Sequence, residues 1–204
     1  DPGDREGNAR GGFGRWPSPE SAEANTDRYI EGLAEYKAKG ILAVNLCLQG
    51  GHPLNGMAWI EEGAGSAGRR PNGHRDFYHS SVYTSDGSLD PEALGRVARV
   101  IERCDSLGMA VILQLFYFGQ DTVFDGEDGV LAATDSAIDW LCESGYTNVT
   151  VEIANEVMQG HFYHDILKPG RVPELIHRAR DGARDRHDTR LLFATSEAAM
   201  LSEK

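Results

Sequence analysis

One run holds the residues best placed to do chemistry: Val149-Thr150-Val151-Glu152-Ile153-Ala154-Asn155-Glu156. It carries the carboxylates Glu152 and Glu156 on one parity, with the amide of Asn155 beside the second. A carboxyl group at the end of a strand can donate or accept a proton, and general acid–base catalysis needs a side chain in that role. Glu152 lies deeper in the strand, where a buried carboxylate needs a partner, so a structural ion pair is expected there. Further polar groups, Gln49, His52, Gln114 and Tyr117, fall at or just after other strand-like runs. His161 and His164 are three apart, a spacing that can hold a metal on a helix. No third ligand stands at a known spacing, so no metal and no cofactor is expected, and the pair reads as part of a polar loop.

The run itself reads as a strand. Val149, Val151 and Ile153 share one parity, and Thr150, Glu152, Ala154 and Glu156 the other. With a period of two, the β-branched set faces one side and the carboxylates the other. Around it the chain repeats a single grammar of helix, glycine, strand and loop: Lys39-Gly40-Ile41, Leu107-Gly108-Met109, Ser144-Gly145-Tyr146. The strands are expected at 41–48, 109–116, 149–155 and 191–196. Asn25 or Thr26 is expected to cap a helix running to Lys39, with Tyr29, Ile30, Leu33 and Tyr36 as its stripe. Asp90-Pro91 predicts a second helix start, ending at Gly108. A third helix is expected from Val130 to Ser144, with Leu131, Ile138, Leu141 and Cys142 inward, and a fourth from Pro173. Spacings of about 40 residues between the later strands suit parallel strands joined by crossover helices.

Residues 1–22 have the glycine, proline and charge content of an irregular segment. Residues 50–89 read as one long βα loop carrying His52, Trp59, Phe77 and Tyr78. A loop of that length inside a domain is usually functional or disordered, and its aromatic content argues for function.

Each of the first three strands has one apolar face and one face with polar members, Asn45, Gln49, Gln114, Glu152 and Glu156. An open doubly wound sheet keeps both faces apolar, because helices cover both. The mixed pattern predicts an α/β fold of the (β/α)8 TIM-barrel type, which typically needs about 250 residues. With 204 residues and four clear strands, the chain is expected to be one incomplete barrel domain, 1–204. As an isolated fragment it is expected to be unstable or to aggregate.

Composition narrows the partners. The formal net charge of −12 disfavours nucleic acid and anionic membrane surfaces. No apolar run approaches the roughly 20 residues that span a bilayer. Cys47, Cys104 and Cys142 are odd in number and scattered, which argues against a disulfide framework or zinc site. They read as small buried hydrophobes. The chain opens at Asp1 without Met, as a chain whose leader was removed or trimmed would.

Glu152-Ile153-Ala154-Asn155-Glu156 resembles the strand-four signature of the cellulase-like clan of retaining (β/α)8-barrel glycoside hydrolases. In that clan an Asn-Glu pair ends the fourth strand. The resemblance covers residues 25–197, with only this motif specific. It implies a carbohydrate substrate and a β-glycosidic bond cut by double displacement. It makes Glu156 the acid/base and Asn155 the contact to the sugar 2-hydroxyl. Gln49, His52, Gln114, Tyr117 and His161 are then candidates to line the sugar site, with Trp59, Phe77 and Tyr78 as stacking surfaces. The clan's nucleophile is a Glu ending strand seven. No run here can be that strand, and Glu197 comes too early, so the nucleophile lies outside this chain and the fragment is expected to be inactive. The enzyme class implies a secreted or periplasmic setting.

Two other classes fit part of the pattern. A non-catalytic carbohydrate-binding or structural barrel could keep the signature as a relic. An unrelated α/β lyase would need a phosphate-binding glycine turn, and the nearest candidate, Gly63-Ala64-Gly65-Ser66, has no strand just before it.

Overall fold

A computed structural model describes residues 22–49, 81–159 and 162–196. His52, Trp59, Phe77, Tyr78, His161, Glu197, the Gly63–Ser66 turn and the 1–21 segment lie outside the described residues. The described elements alternate: α1 (Ala22–Ala38), β1 (Ala43–Cys47), α2 (Pro91–Ser106), β2 (Ala110–Phe116), α3 (Glu127–Ser144), β3 (Val149–Ala154), α4 (Val172–His187) and β4 (Phe193–Ala194). All four strands are parallel and stand in sheet order β1-β2-β3-β4. This is a partial α/β fold, and half of a (β/α)8 barrel has the same strand order.

Consecutive order matters for where the helices go. Crossovers between parallel strands are right-handed almost without exception, and stepping one way along the sheet then puts every helix on the same face. Burial follows that expectation. Val111, Leu113, Leu115, Val149, Val151 and Ile153 are all buried, several completely. The opposite parity is open at its amino end, where Ala43, Asn45, Ala110 and Ile112 are exposed. It closes toward the carboxyl end, where Gln114, Phe116, Glu152 and Ala154 are buried. Each fully buried aliphatic side chain contributes about 1.5–3 kcal/mol relative to an exposed one. The helical side of the sheet is therefore where most of the described fold's stability arises.

Local chemistry explains most element ends. Asp90 caps α2 by accepting the Ala93 N–H at 2.8 Å, and Pro91 fills the first helical position, where its missing N–H costs nothing. Gly108 and Gly145 take positive φ after α2 and α3, which a β-carbon would oppose. Helices α3 and α4 are clasped by charge. The Arg171 guanidinium donates to both Glu127 oxygens at 2.8 and 2.7 Å, and Asp139 accepts from Arg186 and His187.

Some sequence expectations shift. Helix α1 starts at Ala22, so neither Asn25 nor Thr26 caps it. Asn25 instead accepts from Arg28 one turn later, at 3.1 Å. Helix α3 begins at Glu127, three residues before the expected Val130, and its buried stripe runs through Val130, Ala133, Ala137, Ile138 and Leu141, with Leu131 only half-buried. Tyr36 is exposed rather than part of the α1 stripe, whose fully buried member is Leu33. Strand β4 is two residues long instead of 191–196, although the Leu192 carbonyl still accepts the Val151 N–H at 2.8 Å. Among the described residues β4 pairs with β3 alone, through Phe193 and Ala194. Of the three free cysteines only Cys104 is buried, while Cys47 and Cys142 are half-buried.

The described part of the long loop, 81–89, is tightly built. Val82 donates to the Leu48 carbonyl at 2.8 Å, and Thr84 and Ser88 close a turn around Gly87. A β-carbon on Gly87 would meet the α3 backbone at 2.5 Å, so only glycine lets this turn sit on α3. Tyr83 stacks on Phe116 with ring centroids 5.7 Å apart and packs on Phe124 at 5.6 Å. The loop is thereby fixed at the carboxyl end of β2.

Candidate functional site

Gln49, Gln114, Tyr117, Asn155, Glu156 and Ser196 all stand at or just past the carboxyl ends of neighbouring strands. That edge is where parallel α/β sheets keep their sites, because the βα loops meet there.

Gln114 is the hub. It is 3% exposed, and its Nε2 donates to Glu152 Oε1 at 2.9 Å and to Asn155 Oδ1 at 3.1 Å. Asn45 Nδ2 reaches Glu152 Oε2 at a long 3.5 Å. Among the described residues, then, Glu152 is met by two amides, where the sequence reading expected an ion pair. A fixed amide N–H satisfies a buried carboxylate oxygen without bringing in a second charge to desolvate. Buried and with Oε1 engaged, Glu152 serves to hold Gln114 rather than to meet a ligand.

Gln49 is fully buried and ties two loops together. Its Oε1 accepts the Tyr117 N–H at 3.0 Å, and its Nε2 donates to the Gln120 carbonyl at 3.3 Å. The amide thus sets the path of the chain just after β2. Tyr117 is half-buried and packs on Phe118. Burial raises the pKa of its hydroxyl, and the Glu156 and Cys47 side chains push it the same way, so the phenol lies within electrostatic reach of Glu156. Burial also pushes the Cys47 thiol up to about 12, with Glu152 adding to the rise, so Cys47 is no nucleophile at neutral pH.

The Asn155-Glu156 pair is fixed from two sides. The Asn155 N–H donates to the Phe116 carbonyl at 3.0 Å, the last bond between β3 and β2. The Glu156 N–H turns the other way and donates to Ser196 Oγ at 2.6 Å, just past β4. Glu156 has φ 47°, one of two non-glycine residues with positive φ among those described. That conformation costs an ordinary residue about 1–2 kcal/mol. Strain of this kind persists where surrounding contacts over-determine the backbone, and it gathers at functional sites. The Glu156 side chain is exposed.

A second latch lies in the chain that follows β2. Asp121 is fully buried, and its Oδ2 accepts the backbone N–H groups of Tyr163 and His164 at 2.7 and 2.9 Å. His164 Nε2 sits 3.1 Å from the Asp121 carbonyl oxygen. Among the described residues the other carboxylate oxygen, Oδ1, has no hydrogen-bond partner. Burial pushes the Asp121 carboxyl up to about 6, against the pull of His164 and the Tyr163 N–H. The folded chain thus holds this proton more tightly than the unfolded one, so Asp121 makes stability fall as pH rises from about 4 to about 6. Each tenfold difference in proton affinity is worth about 1.4 kcal/mol. In urea melts at pH 4, 5, 6 and 7, Asp121→Asn is expected to flatten this decline relative to the wild type. Equal slopes in the two proteins would show that Asp121 does not titrate in this range.

Of the residues singled out in the sequence, the structure brings Gln114, Asn155 and Glu152 into one network, with Gln49, Tyr117 and Glu156 around it. His52 and His161 fall outside the described residues. Sequence reading passed over Ser196, whose only signal was its place at the end of the expected strand 191–196, and gave Asp121 no role. Among the described residues no group of three His, Cys, Asp or Glu side chains could hold a metal, and no helix is long and apolar enough to cross a membrane. Comparisons with protein-family models, with curated proteins and with solved structures found no match for the chain.

Proposed function

We propose that this chain carries the acid/base half of a retaining β-glycoside hydrolase, within a longer polypeptide whose strands close a (β/α)8 barrel. The observation that carries the reading is Asn155-Glu156 at the carboxyl end of β3, with Glu156 exposed, conformationally strained and tied to its neighbouring strands. In the reaction the Glu156 carboxyl gives its proton to the leaving glycosidic oxygen. A second carboxylate, on a later strand outside this chain, attacks the anomeric carbon. Water then displaces that carboxylate, with Glu156 taking the water's proton. Asn155, its Oδ1 already engaged by Gln114, has its Nδ2 donor left for the sugar 2-hydroxyl. Glu152 is not the second carboxylate, because it is buried on the strand that leads to Glu156, with its Oε1 held by Gln114. The partner is a carbohydrate, and no cofactor takes part.

The test is stereochemical. The full-length protein is incubated with a panel of aryl β-glycosides, and the first-formed sugar is read by proton NMR before it mutarotates. A β-configured product is expected. An α-configured first product would mean inversion and a different pair of carboxylates. No cleavage across the panel would favour a barrel that binds sugar without cutting it.

A further inference from the structure

The hydroxyl of Ser196 stands 2.6 Å from the Glu156 N–H, on a backbone that an ordinary residue rarely adopts. We infer that Ser196 is the positioning residue for Glu156. It holds the Glu156 backbone in the left-handed region and so fixes where the carboxyl group points. The inference rests on the acid/base reading for its kinetic consequence, but not for its structural one.

Two observations carry it. The first is the strain itself. A Glu left to choose would return to a right-handed or extended backbone, and the turn from Ala154 would then carry its side chain elsewhere. The second is the division of labour between two adjacent amides. Asn155 donates to the Phe116 carbonyl on β2, although Val151, of the same parity, donates to Leu192 on the β4 side, so the amides have exchanged sides at the end of the strand. A ladder bond on the β4 side would need a backbone carbonyl in the place where Ser196 supplies Oγ. A hydroxyl accepts from a direction the ladder does not offer, so the peptide can rotate to positive φ and still be satisfied. Ser196 itself touches no reacting atom. Its effect on chemistry passes through Glu156 alone, and a misplacement of about 1 Å at a reacting group can cost 10²-fold in rate.

The experiment uses the full-length protein as wild type, Ser196→Ala and Ser196→Thr. Crystal structures of each read the backbone at residue 156. Kinetics use a pair of aryl β-glycosides, one with a good leaving group and one with a poor one, across pH. In Ser196→Ala, residue 156 is expected to leave the left-handed region. kcat on the poor leaving group should fall about 10- to 100-fold, with little change on the good one and a displaced alkaline limb of the pH profile. Ser196→Thr keeps the acceptor and is expected to restore both. If residue 156 keeps its positive φ in Ser196→Ala, the inference is overturned whatever the kinetics. Equal losses on the two substrates would also overturn it, because a general loosening of the fold does not distinguish leaving groups. A wild type that cleaves neither substrate would defeat the glycosidase reading alone, since the crystal structures would still decide whether Ser196 sets the Glu156 backbone.

Discussion

Glu156→Ala in the full-length protein is expected to slow cleavage of unactivated β-glycosides by about 10²- to 10⁴-fold. An alkoxide leaving group must be protonated as the bond breaks, and without a positioned acid the proton has to come from water. A nitrophenolate leaves as a stable anion and barely needs that proton, so on activated substrates the first step should survive the substitution. The second step still requires a base to activate water, and there the mutant should stall as a glycosyl-enzyme. Azide is small, nucleophilic without deprotonation, and fits the space vacated by the carboxylate. Added azide is therefore expected to restore turnover on activated substrates and to yield the β-glycosyl azide. Steady-state rates on the two substrate classes, with and without azide, check each step separately. Full activity of Glu156→Ala on an unactivated glycoside would remove Glu156 from the reaction.

The order of elements was legible in the sequence because it rests on local physics. Parity along Val149–Ile153, the glycines after α2 and α3, and the Asp90-Pro91 cap each act over a few residues, and the structure has all of them. The mixed faces could be read only at the amino end of β2, where burial alternates with the pleat; toward the carboxyl ends of β2 and β3 both faces are buried. What could not be read is which polar groups meet. Gln114 joins residues 38 and 41 positions away, and Asn45 reaches 107 positions to Glu152. No periodicity encodes such pairings, so Glu152 was expected to find a cation and found amides. The same holds for Ser196, which lies 40 positions from Glu156. Its role depends on the positive φ of Glu156, and glutamate is a residue type that gives no warning of one. Strand β4 was overextended for a simpler reason: an apolar run fixes the propensity of a strand but not how much of it finds a partner.

The largest expected effect on stability also comes from that network. Gln114→Met keeps the length and approximate volume of the side chain but removes the N–H that meets Glu152 at 2.9 Å. Glu152 is 6% exposed, so its Oε1 would lose its donor without gaining much water. Leaving a charged group in that state typically costs about 1.5–3 kcal/mol or more. Removing both polar partners is a different matter. In Gln114→Met/Glu152→Met no buried charge remains, two flexible thioethers can fill the space, and most of the lost stability is expected to return. Chemical denaturation of the two single mutants and the double mutant closes a thermodynamic cycle, and a coupling of about 1–3 kcal/mol is expected between the two positions. Activity should not return with stability. Asn155 Oδ1 depends on the same Gln114 amide, at 3.1 Å, and that donor is absent from the double mutant as well. The stable double mutant should therefore still lose kcat/KM on substrates that carry a 2-hydroxyl, while 2-deoxy substrates, which never made the contact, should be little affected. Strictly additive losses in the cycle would mean that Gln114 and Glu152 do not depend on each other. An undiminished kcat/KM would mean that Asn155 needs no help from Gln114 to meet the sugar.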